Sequence, residues 1–379
     1  MNLNYEALQE FLNENYDFQY NQVNNQLYYK TKFEEEFLEM KDFELNTVLR
    51  EVKNGGFSNA QKKDIVEILN SSFTKVYNPF KEYFKGLNNW NVGDYDYIEA
   101  LSDTVSVDPT ENNNWKNWLK KWLVGVVACA IDDKAINQTA LIFTGAQAVG
   151  KTTWLLNLVP KSLSEYYFGG VINLGNKDTE IQLAENLIIN LDEMENMKLK
   201  NIATFKQIIT KPSIKIRRPY ATVSETMPRR ASFVGSTNKK EFLVDSTGNR
   251  RYLTFETIKI QFNHSVNMND VYAQAYSLYN SGFQYWFDDA EIALVNKHNS
   301  SYNEISLDQE ILEGLFVACP ANTIPELELE TSALLEHIFS KSPIAKRLSP
   351  RTLGQTLNRL NWPKRKTMGR RYWLLNERK

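Results

Sequence analysis

The chain has 379 residues, of which 42% are hydrophobic and 24% charged, with a formal net charge of −2. This length and apolar content exclude a disordered or collagen-like chain and leave room for about two to four globular units. No apolar run approaches the roughly 20 residues of a membrane-spanning helix.

The N-terminus, MNLNYEALQEF, has no basic segment leading into an apolar core, so a cytoplasmic protein without membrane association is expected. Residues 1–110 are expected to form a mainly helical accessory domain. NYEALQEFL reads as a helix and FQYNQVNNQLYYK as a small hairpin. FEEEFLEM, FELNTVLREV and AQKKDIVEILNSSF then read as acidic helices, punctuated at Gly55–Gly56 and Asn78–Pro79. The polar linker SVDPTENNN precedes a helix from Trp115 to Ile131. Its run Trp122–Ile131, bracketed by Lys120, Lys121, Asp132 and Asp133, is expected to be buried.

That helix opens a core expected over 111–285. At its centre GAQAVGKT, Gly145–Thr152, carries the GxxxxGK[ST] spacing of a phosphate-wrapping P-loop. The chemistry needs glycines so that backbone N–H groups can turn toward phosphate, a lysine for the terminal phosphates, and a hydroxyl for Mg²⁺. Lys151 and Thr152 fit the last two roles. Ala146, Gln147, Ala148, Val149, Gly150 and Thr153 complete the expected cradle. ALIFTG before it is strand-like, and TTWLLNLV after it is helical, with Trp154, Leu155 and Leu158 on one face.

Downstream, ENLIINLDE ends an apolar strand in Asp192 and Glu193, read as the Mg²⁺-side carboxylate and the general base. ASFVGSTN delivers Asn238, an amide suited to sensing a γ-phosphate or positioning water. DSTGNRRYLTF places Arg250 and Arg251 at the mouth of another strand, where either suits an arginine finger in a neighbouring subunit. Between them, KPSIKIRRPYATVSETMPRR reads as a basic hairpin, with Lys215, Arg217 and Arg218 for a nucleic-acid backbone and Tyr220 for base stacking. Cys129 and Cys319 read as small buried residues. His264, His298 and His337 form no ligand cluster, so Mg²⁺ carried by the nucleotide is the only metal expected.

Residues 286–340 are expected to be a helical lid or linker, and 341–379 a basic DNA-binding unit. From Lys341 onward there are 12 Lys and Arg against one acid, a local charge of +11 that leaves −13 on residues 1–340. Thr331 is expected to cap one helix, and Ser349–Pro350 to open a second with Leu353, Leu357 and Leu360 inward. WPKRKT and RRYWLL follow as a hairpin. Helix, helix and basic hairpin describe a winged helix, with Arg351, Arg359, Lys364, Arg365, Arg370 and Arg371 toward DNA.

The ordered set of P-loop, LDE, basic hairpin, STN and GNRR resembles superfamily 3 DNA helicases, and more closely the virulence-associated protein E family of phages and mobile elements. NPFKEYFKGLNNW, DYIEALSDTV and TKPSIKIRRPY are similar to that family's pattern, so the resemblance extends from about Leu38 to Gly282. It implies an α/β AAA+-type core that assembles as a ring, likened to a hexamer, hydrolyses ATP with Mg²⁺ and translocates on DNA during replication. It places single-stranded DNA against Lys215 or Arg218 in the channel, and favours Arg251 over Arg250 as the finger. Two departures stand out: Ala148 occupies a position where relatives carry glycine, and no primase-like segment precedes the core, so a separate primase is expected. An ATP-switched DNA-binding assembly factor and a P-loop enzyme acting on a small molecule remain open alternatives.

Overall fold

A computed structural model describes residues 3–170, 176–191, 194, 199–218, 223–244, 248–320, 323–342, 348–367 and 369–378. The chain divides into two compact units: Met1–Lys240 with Thr247–Ser300, and Glu241–Ser246 with Ser301–Lys379. The fold is mixed α/β.

The first unit begins with the helix Tyr5–Asn15, capped where Asn4 accepts a hydrogen bond from the Ala7 amide at 3.3 Å. The hairpin Tyr16–Asn21 and Gln26–Thr31 follows, its turn using Asn25 at φ +58°. Leu38–Glu39 flanks one side of it, and Lys75–Tyr77 runs parallel on the other. Leu8 and Leu12 share a helix face with the i, i+4 spacing that meets the sheet. They pack with Val48 and Val52 of Asp42–Asn54 and with Ile65 and Leu69 of Lys62–Leu69, all fully buried.

A five-stranded sheet forms the centre of this unit. Its strands run Tyr252–Glu256, Ala140–Thr144, Ser232–Ser236, Ile188–Leu191 and Tyr167–Gly169 from edge to edge, and every neighbouring pair is parallel. The three inner strands are buried residue for residue, as a sheet covered on both faces requires. The helix Asn112–Ile131 packs on it, with Trp115, Trp118, Trp122 and Leu123 among its buried side chains. Each such side chain contributes about 1.5–3 kcal/mol of transfer free energy. The apolar run that could suggest a membrane segment is therefore core. No described helix is long and apolar enough to cross a membrane.

Arg229, 1% exposed, knits the sheet to the adjoining hairpin of Ser213–Ile216 and Glu225–Pro228. Its guanidinium donates to the carbonyls of Lys211 at 3.0 Å, Asn137 at 2.9 Å, Ile209 at 3.3 Å and Ala231, and lies over the Phe233 ring. Burial pushes its pKa below the usual guanidinium value. Cys129 is a buried free thiol in this unit, and Cys319 one in the other.

The second unit holds helices Leu307–Leu315, Thr331–Lys341 and Pro350–Arg359. The long strand Arg370–Glu377 pairs with Lys364–Thr367 and Phe316–Ala318, and also with Leu327–Leu329. Ser349 and Pro350 open their helix as expected, Ser349 accepting from the Thr352 amide at 3.2 Å. Glu330, not Thr331, is the cap of the preceding helix. The Thr331 hydroxyl instead accepts the indole N–H of Trp373 at 3.0 Å, because that large side chain fills the core with Leu334, Ile338, Leu353 and Leu357 and needs a partner for its polar edge.

Candidate functional site

In a parallel sheet all carboxyl ends open on one edge, and loops leaving that edge converge. Ala140–Thr144 delivers the Gly145–Thr152 loop there, and its neighbour Ser232–Ser236 delivers Asn238. The Thr237 amide donates to the Phe143 carbonyl at 2.9 Å, and its hydroxyl accepts the Lys239 amide at 3.1 Å, so the chain turns sharply at Asn238. Lys151, only 6% exposed, donates to the carbonyls of Gly145 at 2.8 Å and Ala146 at 2.7 Å and to Asn238 Oδ1 at 3.1 Å. Thr152 Oγ1 lies 3.4 Å from Ser236 Oγ. Gln147, Gly150, Lys151, Thr152, Thr237 and Asn238 border a polar crevice of about 480 Å³.

The loop's backbone explains its residue types. Gly145 has φ +129° and a Cβ there would stand 2.8 Å from the Thr257 carbonyl; Gly150 has φ +93° and a Cβ there would meet the Phe262 ring at 2.3 Å. Ala148 adopts φ +66°, a left-handed conformation that costs a residue with a Cβ about 1 kcal/mol. The departure noted in the sequence is thus a strained position. The helix after the loop, Lys151–Leu156, is short, but Trp154, Leu155 and Leu158 are buried together as expected. Trp154 donates to Thr104 Oγ1 at 2.8 Å, which pins the helix from behind.

Asp192 and Glu193 follow the strand Ile188–Leu191 directly in sequence but lie outside the described residues, as does Tyr220. Arg250 and Arg251 stand at the opposite edge of the sheet from the loop, because Tyr252 pairs with Ala140 and Glu256 with Thr144. They border a separate cavity of about 260 Å³ with Asn137, Gln138 and Trp286. Arg250 is exposed; Arg251 is half-buried, its Nε without a hydrogen-bond partner among the described residues. Burial, with Arg250 adding repulsion, pushes the Arg251 pKa down.

On the Ser213–Ile216 strand Lys215 is exposed, and Arg217 beyond it is exposed too. Arg218 is engaged instead: it pairs with Glu185, and with Glu225 at 2.7 Å. Burial opposes its charge, but the two carboxylates outweigh that and raise its pKa. In the second unit Arg351 and Arg371 are exposed, whereas Arg365 pairs with Glu328, Arg370 with Glu330, and Arg359 donates to Ser306 and Gln309. Lys364 donates to Asn358 at 2.7 Å and lies over the Trp373 ring. Sequence counting missed these partners because it took the basic segment alone. The unit's other residues bring 10 acids and no Lys or Arg, reducing +11 to +1. Its positive character is a local surface of helix Pro350–Arg359 and the final hairpin.

Fold and site together define a mixed α/β protein with a lysine-centred crevice at the carboxyl edge of a parallel sheet. The chain belongs to the virulence-associated protein E-like domain family, whose model matches residues 87–304. No curated protein matches it. Among solved structures it is similar to the apo structure of the NrS-1 C-terminal region (305–718), at 12% identity and a TM-score of 0.49, covering 99% of this chain and 100% of that one. The A form apo structure of the NrS-1 C-terminal region aligns at 14% identity and a TM-score of 0.42, over 80% of this chain and 73% of that one.

Proposed function

We propose that this protein is an ATP-driven DNA helicase of a phage or mobile element, with an AAA+-type core that works as a ring, a hexamer by the resemblance, and a C-terminal winged helix. The observation that carries the reading is the meeting of Lys151 and Asn238 at 3.1 Å on the carboxyl edge, with Arg250 and Arg251 on the opposite edge. One edge offers a phosphate site, and the other offers cations that only a neighbouring copy's site can use.

The residues fit a nucleotide with Mg²⁺. Lys151 is a nearly buried cation that donates to the carbonyls of Gly145 and Ala146 and to Asn238, and the two positive-φ glycines let the loop close around it. A phosphate oxygen is a stronger acceptor than a carbonyl for an ammonium. Bound with the nucleotide, Mg²⁺ would offset phosphate charge, held by the Thr152 hydroxyl and Asp192. In this reading Glu193 takes the proton of the attacking water and Asn238 orients that water. Arg251 from the next protomer stabilises charge on the departing phosphate. Lys215 and Arg217 track single-stranded DNA, while Arg351 and Arg371 meet duplex.

The test is a fork-unwinding assay run beside DNA-stimulated ATP hydrolysis. Strand displacement that requires ATP and disappears in Lys151→Ala supports the reading. ATP-dependent DNA binding without displacement would make the protein an assembly factor instead, and hydrolysis indifferent to DNA would point to a small-molecule enzyme.

A further inference from the structure

The helix Pro350–Arg359 sorts its residues by face. Leu353, Thr356 and Leu357, spaced i, i+3 and i+4, are buried, which turns Arg351, Gln355 and Asn358 onto the opposite side, where all three are exposed. Asn358 is occupied there. Its side-chain amide donates to the Gly354 carbonyl at 2.7 Å, and its oxygen accepts from Lys364 at 2.7 Å. Arg351 and Gln355 have no side-chain hydrogen bond or ion pair among the described residues. The outer face of the helix is thus anchored at one end and offers a guanidinium and a primary amide at the other.

The final hairpin sorts its cations in the same way. Alternation along its strands puts Arg365 and Arg370 on one face, where they pair with Glu328 and Glu330. Lys366 and Arg371 lie on the other face, directly opposite one another across the ladder, both exposed and with no acidic partner among the described residues. From that same face Trp373 and Leu375 enter the core, so the pair stands on the helix side of the hairpin. Like charges set directly opposite destabilise a strand pair, and an anion seated between them removes that cost. The Lys364–Asn358 bond fastens hairpin to helix and holds the two groups in a fixed relation.

The two groups suit different parts of one ligand. Two long cations side by side fit a phosphate, whereas a guanidinium and an amide fit base edges: arginine bonds O6 and N7 of guanine, and glutamine bonds N6 and N7 of adenine, both in the major groove. Arg351 and Gln355 lie in the first two turns of their helix, the part that meets bases when a helix enters that groove. Four residues of helix rise about 6 Å, roughly two base-pair steps. Resting on the duplex-binding role proposed above for this unit, we propose that it reads DNA sequence. Arg351 reads a guanine, Gln355 reads an adenine about two base pairs away, and Lys366 with Arg371 straddles a backbone phosphate. Duplex RNA does not fit, because its deep, narrow major groove admits no helix.

The test selects sites for the full chain from randomised DNA duplexes, then compares affinity for the selected and a scrambled duplex across a salt series. A consensus holding both guanine and adenine is expected, bound about tenfold or more tighter than the scrambled sequence. Arg351→Gln should change the preferred guanine to adenine, and Gln355→Arg the adenine to guanine, exchanges that a merely structural role would not produce. Lys366→Ala and Arg371→Ala should instead weaken every duplex alike, each lowering the salt slope by about one unit. Selection without a consensus, or a consensus unmoved by both helix variants, overturns base reading and leaves the helicase reading standing, since fork unwinding tests that on its own. Salt slopes unchanged in both hairpin variants overturn the phosphate clamp. A full chain that binds no DNA duplex, or binds duplex RNA as tightly, overturns this proposal together with the duplex-binding role beneath it.

Discussion

If the catalytic pocket spans two protomers, subunits crippled on opposite edges should rescue one another. Lys151→Ala removes the phosphate side and leaves Arg251; Arg251→Ala does the reverse. Within one chain the register Tyr252–Ala140 to Glu256–Thr144 separates the two edges by four residue steps, about 13 Å of sheet, which exceeds the reach of an arginine side chain. No cis contact can therefore substitute. In rings assembled from equal amounts of the two variants, a junction is complete only when its loop comes from one parent and its arginine from the other, about a quarter of junctions. ATP hydrolysis of the mixture should rise from near zero toward about a quarter of the wild-type rate, and less where neighbours must fire in turn. Colorimetric phosphate release against DNA-saturated protein measures it, with co-purification of differently tagged subunits confirming mixed assembly. Co-assembled rings no more active than either parent, or full activity in Arg251→Ala alone, would refute the shared pocket. The same mixture made with Arg250→Ala identifies which arginine acts.

Three other outcomes follow from local geometry. Gly150→Ala should destabilise the protein by about 2 kcal/mol or more in chemical denaturation, through positive φ and the Phe262 clash, whereas Ala148→Gly should change stability by less than about 1 kcal/mol because relief of strain is offset by unfolded-state entropy. Equal effects at the two positions would contradict this account of the loop. Glu185→Gln combined with Glu225→Gln should release Arg218 and tighten single-stranded DNA binding, steepening the salt dependence by about one unit; an unchanged slope means Arg218 faces no phosphate. Arg229→Met, which keeps the apolar stem and strips the donors from four carbonyls, should cost about 3 kcal/mol, and a loss under about 1 kcal/mol would show that those carbonyls find other partners.

What could be read from the chain alone was what short-range pattern encodes. The Gly145–Thr152 loop, the Ser349–Pro350 helix start and the buried helix with Trp122 each carry a local signature, and each stands where that signature placed it. The family match beginning at residue 87 covers the same run of motifs, short of the earlier start near Leu38. Arg218 shows what local pattern cannot carry, since its partner Glu185 sits 33 positions away on another element. The acids at Glu328 and Glu330 escaped the charge count for the same reason, being brought to the basic hairpin only by strand pairing. Phe262, which belongs to no motif, proves to be a wall of the loop crevice only through the fold that sets its ring against Gly150.

Arg229 is enclosed by carbonyls and an aromatic ring, with no carboxylate partner among the described residues. A guanidinium does not give up its proton inside a protein, so a positive charge is buried where the hairpin strands Ser213–Ile216 and Glu225–Pro228 meet the sheet. Dissolved ions cannot crowd around a charge they cannot approach, so its bonds inside the protein are screened far less than contacts of the exposed Lys215 or Arg217. As salt rises, its bonds to the four carbonyls should therefore outlast the exposed ion pairs, holding the hairpin to the sheet where surface pairs have faded.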